Sequence, residues 1–492
     1  MIDHSRQEVR SYGTSLLKFD GLSAFFALFS LILGVAISLA VFNFGWITLI
    51  ILPIGIVVLA TAWNPSIGLV SLVILIFIQL QRVVTEFHDL PGPGKPFVVF
   101  LSLVVGIRLF IFNERPVSWI KNSLILIVYL VFLVLSVITA SHLAPALSEM
   151  IDVAQNLVLA SIILYIIQDT KSLKSAIWSI IVAGIIMASI SVFQRLTGTY
   201  QNTYWGFGGW EYSGYVGRPR MTGPYFTPNP YAQVLVVIFI VALDRMWHEQ
   251  AMWKRGLAGF ATVVCALALV YTDSRGGFAD LLFTVFIFFV FNRPNLISLL
   301  ATALIVVGLI QFLPSNYTDR ILTLTELNPF QWNTEQLTDE SFRGRTSENL
   351  AAWRMFLDHP IWGVGLNNYS LFYQDYSREI GLDPRREARD PASLYLQLLA
   401  DQGMVGTIVF MVFIIYVFVT LFRAYNGFKD RGDLDEMHIS SMLISALSGY
   451  MFMSLYRNSA YTNVFWVLIA ICMATLQILD NASQVDRESH SL

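Results

Sequence analysis

Apolar runs long enough to cross a lipid bilayer recur from one end of this chain to the other, and they constrain its fold more than any motif does. A transmembrane helix needs about 20 predominantly apolar residues. Fourteen such runs stand out, at 22–43, 45–62, 67–84, 96–113, 122–140, 152–168, 173–194, 230–247, 257–271, 277–291, 295–313, 404–422, 439–455 and 461–479. Spans of that length consume roughly 280 residues and leave about 200 of the 492 for connections and ends. Composition agrees: 55% of residues are hydrophobic and 13% are charged, where soluble domains carry roughly 25% charged residues. That balance excludes a soluble multidomain enzyme and a disordered chain, and a net charge of −3 speaks against nucleic acid as a partner. The expected fold class is an all-α polytopic membrane protein with about 14 (12–14) transmembrane helices and a large, partly helical extracytoplasmic loop.

Charge sorts the connections. Arg6, Arg10, Lys18, Arg115, Lys121, Lys171, Lys174, Arg245, Lys254, Arg255, Arg293, Arg423, Lys429 and Arg431 all fall on the side of the N-terminus, whereas 141–151 has no Lys or Arg. The positive-inside rule then places both termini in the cytoplasm. Residues 1–21 read as a polar cytoplasmic segment and not a signal peptide, because no small-residue cleavage site follows the first apolar run. The division expected is 22–313 for eleven helices with an outer loop at 198–229, 314–403 for a large outer loop, 404–479 for three more helices, and 480–492 for a cytoplasmic tail. Loops this long are usually functional. In the large one, 347–356 reads as a helix entered at Thr346 or Ser347, and 392–400 as an amphipathic run leading into the next span. Cys265 and Cys472 sit in apolar runs and read as small core residues.

The outward segments are rich in arginine: Arg218, Arg220, Arg275, Arg320, Arg343, Arg345, Arg354, Arg378, Arg385, Arg386 and Arg389. A guanidinium is permanently charged, and its planar fork matches phosphate oxygens. Arg275, in the sequence TDSRGG, lies at the membrane boundary, where ionisable residues are costly and functional by default. Pairing with Asp273 or Asp280, or snorkelling, is the structural alternative. Arg220 opens RMTGPYFTPNPYA, whose prolines and glycine define a rigid turn or cap on the following helix. Tyr204, Trp205, Trp210, Tyr212 and Tyr215 suit either an interfacial belt or sugar stacking. Arg345 is expected at the start of its helix, where the dipole favours an anion; His359, before a proline, reads as a turn residue, with acid or base as its alternative. The histidines form no metal-ligand pattern. With the polar equipment outside, a group-transfer reaction has to draw on a lipid-carried donor.

Together these segments resemble the bacterial O-antigen ligase and polysaccharide polymerase superfamily. The resemblance covers roughly residues 200–480 and rests on RMTGPYFTPNPYA, TDSRGG, GRTSENLAAWRMFLDHPIWGVGLNNY and PASLYLQLLADQGMVG, in that order. It implies a glycosyltransferase of the bacterial inner membrane, with its active site facing the periplasm and needing neither metal nor other cofactor. The donor is then a glycan on undecaprenyl pyrophosphate and the acceptor a sugar hydroxyl, on another lipid-linked unit (polymerase) or on lipid A core (ligase). Membrane lipid and polysaccharide assembly proteins are the further partners it implies. Arg275 and Arg345 match the family's pyrophosphate-binding arginines; Arg220, Arg389 and Tyr395 join them as substrate-binding candidates. The family's general-base histidine falls on Ala392, which cannot accept a proton. Three explanations fit: an engineered replacement, a neighbouring carboxylate (Asp390 or Glu387) in the role, or loss of catalysis. A membrane transporter or flippase is the rival reading; it calls for ionisable residues deep in several spans, and the sequence offers few, among them Arg108, Arg195 and Asp280.

Overall fold

The computed structural model describes residues 48–114, 116–213, 218–292, 300, 302, 340–382 and 388–491. The expected span 22–43, nearly all of 295–313, the outward residues Tyr215, Arg320, Arg385, Arg386 and Glu387, and Arg6, Arg10, Lys18, Arg115 and Arg293 lie outside these residues. The chain divides into two units, 1–68 and 69–492. In the first, the described part is helix α1 (Thr48–Trp63) and the beginning of α2 (Pro65–Phe77). Everything below concerns the second unit.

Its helices follow the apolar runs. They are α3 (Gly94–Phe110), α4 (Val117–Ile138), α5 (Leu143–Ile166), α6 (Thr170–Thr197), α7 (Pro228–His248), α8 (Met252–Tyr271) and α9 (Arg275–Phe291). After them come α10 (Glu340–Asp358), α11 (Tyr369–Ile380), α12 (Leu394–Arg431), α13 (Leu434–Met453) and α14 (Asn463–Ser491). Seven helices are long and apolar enough to cross a membrane, or up to eight if α2 and the segment Leu80–Phe87, bent by 65° from it, make one span. The expected count of fourteen is therefore not reached among the described residues. Two of the shortfalls have a simple cause: α3 and α9 each run for only 17 residues, at the lower limit for a bilayer. The outward faces of the long helices are apolar, as lipid requires; α4 exposes Leu124, Ile127, Val128, Val131 and Ile138. Cys265 and Cys472 are unpaired and fully buried, as small core residues should be.

The helix connections give the bundle two polar ends. One holds the α6–α7, α8–α9 and α13–α14 connections together with α10 and α11. The other holds the α5–α6, α7–α8 and α12–α13 connections. At this second end Arg245, 1% exposed, is neutralised by Asp244 at 2.6 Å and Asp435 at 2.8 Å. Lys174 reaches the same Asp435 at 2.6 Å, so α6, α7 and α13 are tied by one ion network.

Helix α12 begins ten residues before the expected span, because the amphipathic run 392–400 continues into it; the helix is 38 residues long and breaks at Gly403 (φ 63°, ψ −163°). The break frees backbone groups, and in or near lipid such groups must find partners. The Gly-rich turn at 360–365 supplies them. Val364 and Gly365 donate N–H bonds to the carbonyls of Ala400 and Asp401, both at 2.8 Å, while Met404 and Val405 donate to Pro360 at 2.8 Å and Ile361 at 3.2 Å. The approach tolerates no side chain: a Cβ on Gly403 would lie 2.4 Å from the Ile361 oxygen, and one on Gly363 2.5 Å from the Ala400 oxygen. Around this clamp a small core forms from Ala351, Ala352, Met355, Val364, Tyr369, Tyr373 and Ala400. The carboxylate of Asp401 accepts the Tyr369 N–H at 2.9 Å and fixes the start of α11.

Helix α10 starts at Glu340, ahead of the expected entry at Thr346 or Ser347. Ser347 is fully buried and serves as an interior helix residue, and the single Gly344 costs about 1 kcal/mol, which packing of the Ala351, Ala352 and Met355 face offsets. Substituting alanine at Gly403 is expected to destabilise the protein by about 2 kcal/mol or more, since it adds a left-handed non-glycine residue to a steric clash. Thermal unfolding in detergent measures it; a melting temperature equal to that of the parent protein would refute the clamp.

Candidate functional site

The connection between α6 and α7 contains an element that the sequence did not announce. Strand β1 (Trp210–Ser213) pairs antiparallel with β2 (Arg218–Met221), Glu211 opposite Arg220 and Ser213 opposite Arg218. A proline in β2 is tolerated because a two-stranded ribbon has only edges. The ribbon lays its arginines across the turn between α8 and α9. Arg218 donates through Nε to Asp273 Oδ2 at 3.0 Å, and its Nη2 bonds the second carboxylate oxygen. Asp273 is thus the partner of Arg218, not of Arg275. The other alternative partner, Asp280, is fully buried within α9 and receives the Thr284 hydroxyl.

Arg220 donates to the Thr272 carbonyl at 2.9 Å and, at 3.5 Å, to Asn229 Oδ1. The same Asn229 oxygen accepts the Ser274 hydroxyl at 2.9 Å. Ser274 in turn caps α9 by accepting the Gly277 N–H at 3.1 Å. Arg275 is the first residue of the helix so capped. Asn229, at the start of α7, therefore couples Arg220 to the turn that presents Arg275. The loop behind is pinned from the far side: Arg82 donates to the Tyr225 carbonyl at 3.0 Å and lies 4.7 Å over the Phe226 ring. Of the aromatic cluster, Trp205 and Tyr212 are well exposed.

The region around Ala392 comes to the same end of the bundle. Leu394 donates its N–H to the Ser454 carbonyl at 3.0 Å, and Tyr395 gives its hydroxyl proton to the Met451 carbonyl at 2.9 Å. Gly276 rests on the neighbouring residues: a Cβ there would lie 3.3 Å from the Met453 side chain and 4.0 Å from Tyr456. The end of α13, residues 451–456, thus borders both the Arg275 turn and the segment that carries Ala392.

Arg345 lies in the second turn of α10 and not at its start, a correction that removes the helix-dipole argument for it. It is linked to the Ala392 segment indirectly: Glu348, three residues on, accepts from Arg389 at 3.0 Å, and Arg389 stands three residues before Ala392. Tyr395 is committed to the backbone of α13. His359 is exposed and contributes its carbonyl to the turn, accepting the Gly363 N–H at 3.0 Å. Asp390 keeps solvent contact, yet packing around its carboxyl raises its pKa by desolvation. Among the described residues no three His, Cys, Asp or Glu side chains cluster as metal ligands.

One arginine here escaped the sequence reading. Arg457 lies between α13 and α14, partly buried, and donates to the Gln233 side-chain oxygen at 2.9 Å. Burial lowers its pKa from the usual value. The available signal was its position, a cation in a short connection on the side where the positive-inside rule expects few.

Similarity to known proteins bears on the same residues. The profile of the O-antigen ligase family matches residues 260–411, from α8 through the Arg275 turn and α10 to the Gly403 break. The chain is also similar to the teichuronic acid biosynthesis protein TuaE of Bacillus subtilis (strain 168), at 22% identity over 464 residues, covering 89% of this chain and 91% of that protein.

The ribbon's anchoring predicts a measurable coupling. Arg218→Gln leaves the buried Asp273 carboxylate unpaired and is expected to cost about 3 kcal/mol. Combining it with Asp273→Asn should recover most of that loss in thermal unfolding; additive losses would show the pair to be incidental.

Proposed function

We propose, from its similarity to the O-antigen ligase family over residues 260–411 and to a teichuronic acid biosynthesis protein, that this chain transfers a glycan from undecaprenyl pyrophosphate to a sugar hydroxyl at the outer face of the bacterial inner membrane. Polymerisation of a surface polysaccharide is the favoured form of the reaction, and a relative in teichuronic acid biosynthesis fits that choice. Ligation to lipid A core is the alternative. The observation that carries the reading is the gathering of Arg220, the Arg275 turn and the Ala392 segment at one end of a membrane bundle. The opposite end holds Lys174 and Arg245, so the positive-inside rule turns the arginine end outward.

The acceptor hydroxyl oxygen attacks the anomeric carbon. The bond from that carbon to the diphosphate oxygen breaks, and the diphosphate leaves with the electron pair, still attached to its lipid. Guanidiniums fixed beforehand stabilise the charge that develops on it. Arg275 and Arg220 hold the diphosphate from the bundle, and Arg345 and Arg389 from α10 and its neighbour. The lipid tail remains in the bilayer. Loop helices α10 and α11, clamped at Gly403, orient the acceptor. The transporter reading loses ground here, because the backbone groups freed by the break in the long helix α12 are taken up by the 360–365 turn.

The acceptor proton needs a base, and Ala392 is none. A general base contributes about 10²–10⁴-fold. Asp390 is the described carboxylate nearest in sequence, and its raised pKa suits a proton acceptor. Only its ionised form accepts a proton, so transfer by this protein should rise with pH through that raised pKa and fall as Asp390 is protonated. Purified protein incubated with lipid-pyrophosphate oligosaccharide tests these assignments. Ala392→His should raise turnover by about 10²–10⁴-fold with little change in donor affinity. Asp390→Asn should abolish the residual activity of the parent protein and spare that of the Ala392→His variant. Arg275→Ala and Arg345→Ala should each weaken donor binding; unchanged affinity in both, or absence of transfer even with the Ala392→His substitution, would reject the reading.

A further inference from the structure

The fold treats two arginines, one at each end of the bundle, in opposite ways. Arg245, at the Lys174 end, is closed off by two carboxylates. Arg457, at the other end, makes its hydrogen bond to the neutral amide of Gln233, and among the described residues no carboxylate stands within ion-pair distance of it. A guanidinium stays protonated in proteins, so this site keeps a positive charge that the described residues do not neutralise. Its desolvation is costly, and nothing about helix packing requires it: Gln233 is already held by its amide nitrogen, which donates to the Tyr450 carbonyl at 3.1 Å and Ser459 at 3.3 Å.

The position of Arg457 supplies the reason. Gln233 lies one helical turn beyond Asn229 on α7, and residues four apart share a face. Asn229 receives Arg220 and the Ser274 cap of the Arg275 helix; Gln233 receives Arg457. Tyr456, the preceding residue, borders Gly276. Ser454, three residues earlier, accepts the backbone of the Ala392 segment. Burial raises the pKa of Tyr225 in the RMTGPY turn, and the charge of Arg457 acts against that rise.

We propose that Arg457 is a further guanidinium of the diphosphate site, carried by the α13–α14 connection and oriented by Gln233 beside Arg220 and Arg275. This deepens the functional reading above and rests on it. A polyprenyl diphosphate carries more negative charge than a monophosphate, and an added guanidinium serves the second phosphoryl group. Arg457 therefore contributes to preference for diphosphate over monophosphate lipids.

The test is binding of farnesyl diphosphate and farnesyl monophosphate to the full-length protein in detergent, with melting temperature recorded for each variant. The parent protein should bind the diphosphate more tightly. Arg457→Met should weaken diphosphate binding roughly tenfold, the size of one lost charge-assisted contact, and narrow the preference over the monophosphate. Arg457→Lys keeps the charge without the fork and should fall between. Gln233→Glu retains Arg457 but gives it an internal counter-charge, so it too should weaken the diphosphate. If Arg457→Met fails to fold, Arg457→Lys and Gln233→Glu decide. Diphosphate affinity equal to the parent's in every folded variant, while Arg275→Ala binds weakly, overturns the role of Arg457 and leaves the functional reading standing. A parent protein that binds neither lipid overturns both.

Discussion

The meeting of the 360–365 turn with the break at Gly403 is the constraint on which this end of the protein depends. A helix interrupted near a membrane leaves carbonyls and N–H groups that cannot stay unpaired. Here a loop segment more than thirty residues earlier in the chain satisfies two of each with its own backbone. Because the bonds are main chain to main chain, the two segments approach more closely than side chains allow, and glycine at 363 and 403 follows from that distance. The same contact reaches the α4–α5 corner, where Ser141 donates its N–H to the Val364 carbonyl at 3.0 Å. The loop helices are thereby part of the bundle and not an appended domain.

Electrostatics divides the molecule along its length. At the Lys174 end, positive charge is matched by acid on neighbouring helices, which joins α6, α7 and α13. At the other end, Arg218 has a bidentate acid partner. Arg457 is held by a neutral oxygen, that of the Gln233 side chain. Neutral acceptors fix the direction of a guanidinium without cancelling its charge. Preorganised cations of this kind suit an anionic ligand whose charge grows during reaction.

How much of this was legible in the sequence depends on how local the signal was. Long apolar runs identify their own helices, and α4 through α8 lie where hydropathy puts them. The arginines gathered at this end were legible by residue type. Their partners were not. Asp273 is adjacent in sequence to the Arg275 turn, yet the cation that takes it comes from β2, 55 residues away. The ribbon itself has no alternating pattern; its strands WEYS and RPRM are placed by Asp273 and Thr272, not by propensity. Thr346 and Ser347 imitate a helix start, and only the burial of Ser347 against the loop core shows that the helix runs past them. Arg457 was hidden in a short polar connection whose importance lies in what folds next to it.

The anchoring of the segment around residue 392 has its own consequence. The ties shown there are the Leu394 amide on the Ser454 carbonyl and the Tyr395 hydroxyl on the Met451 carbonyl. Neither bond depends on which side chain occupies position 392, and that position is only partly buried. The scaffold therefore does not depend on what stands at this point of the chain: a side chain can be exchanged there while its surroundings keep their shape.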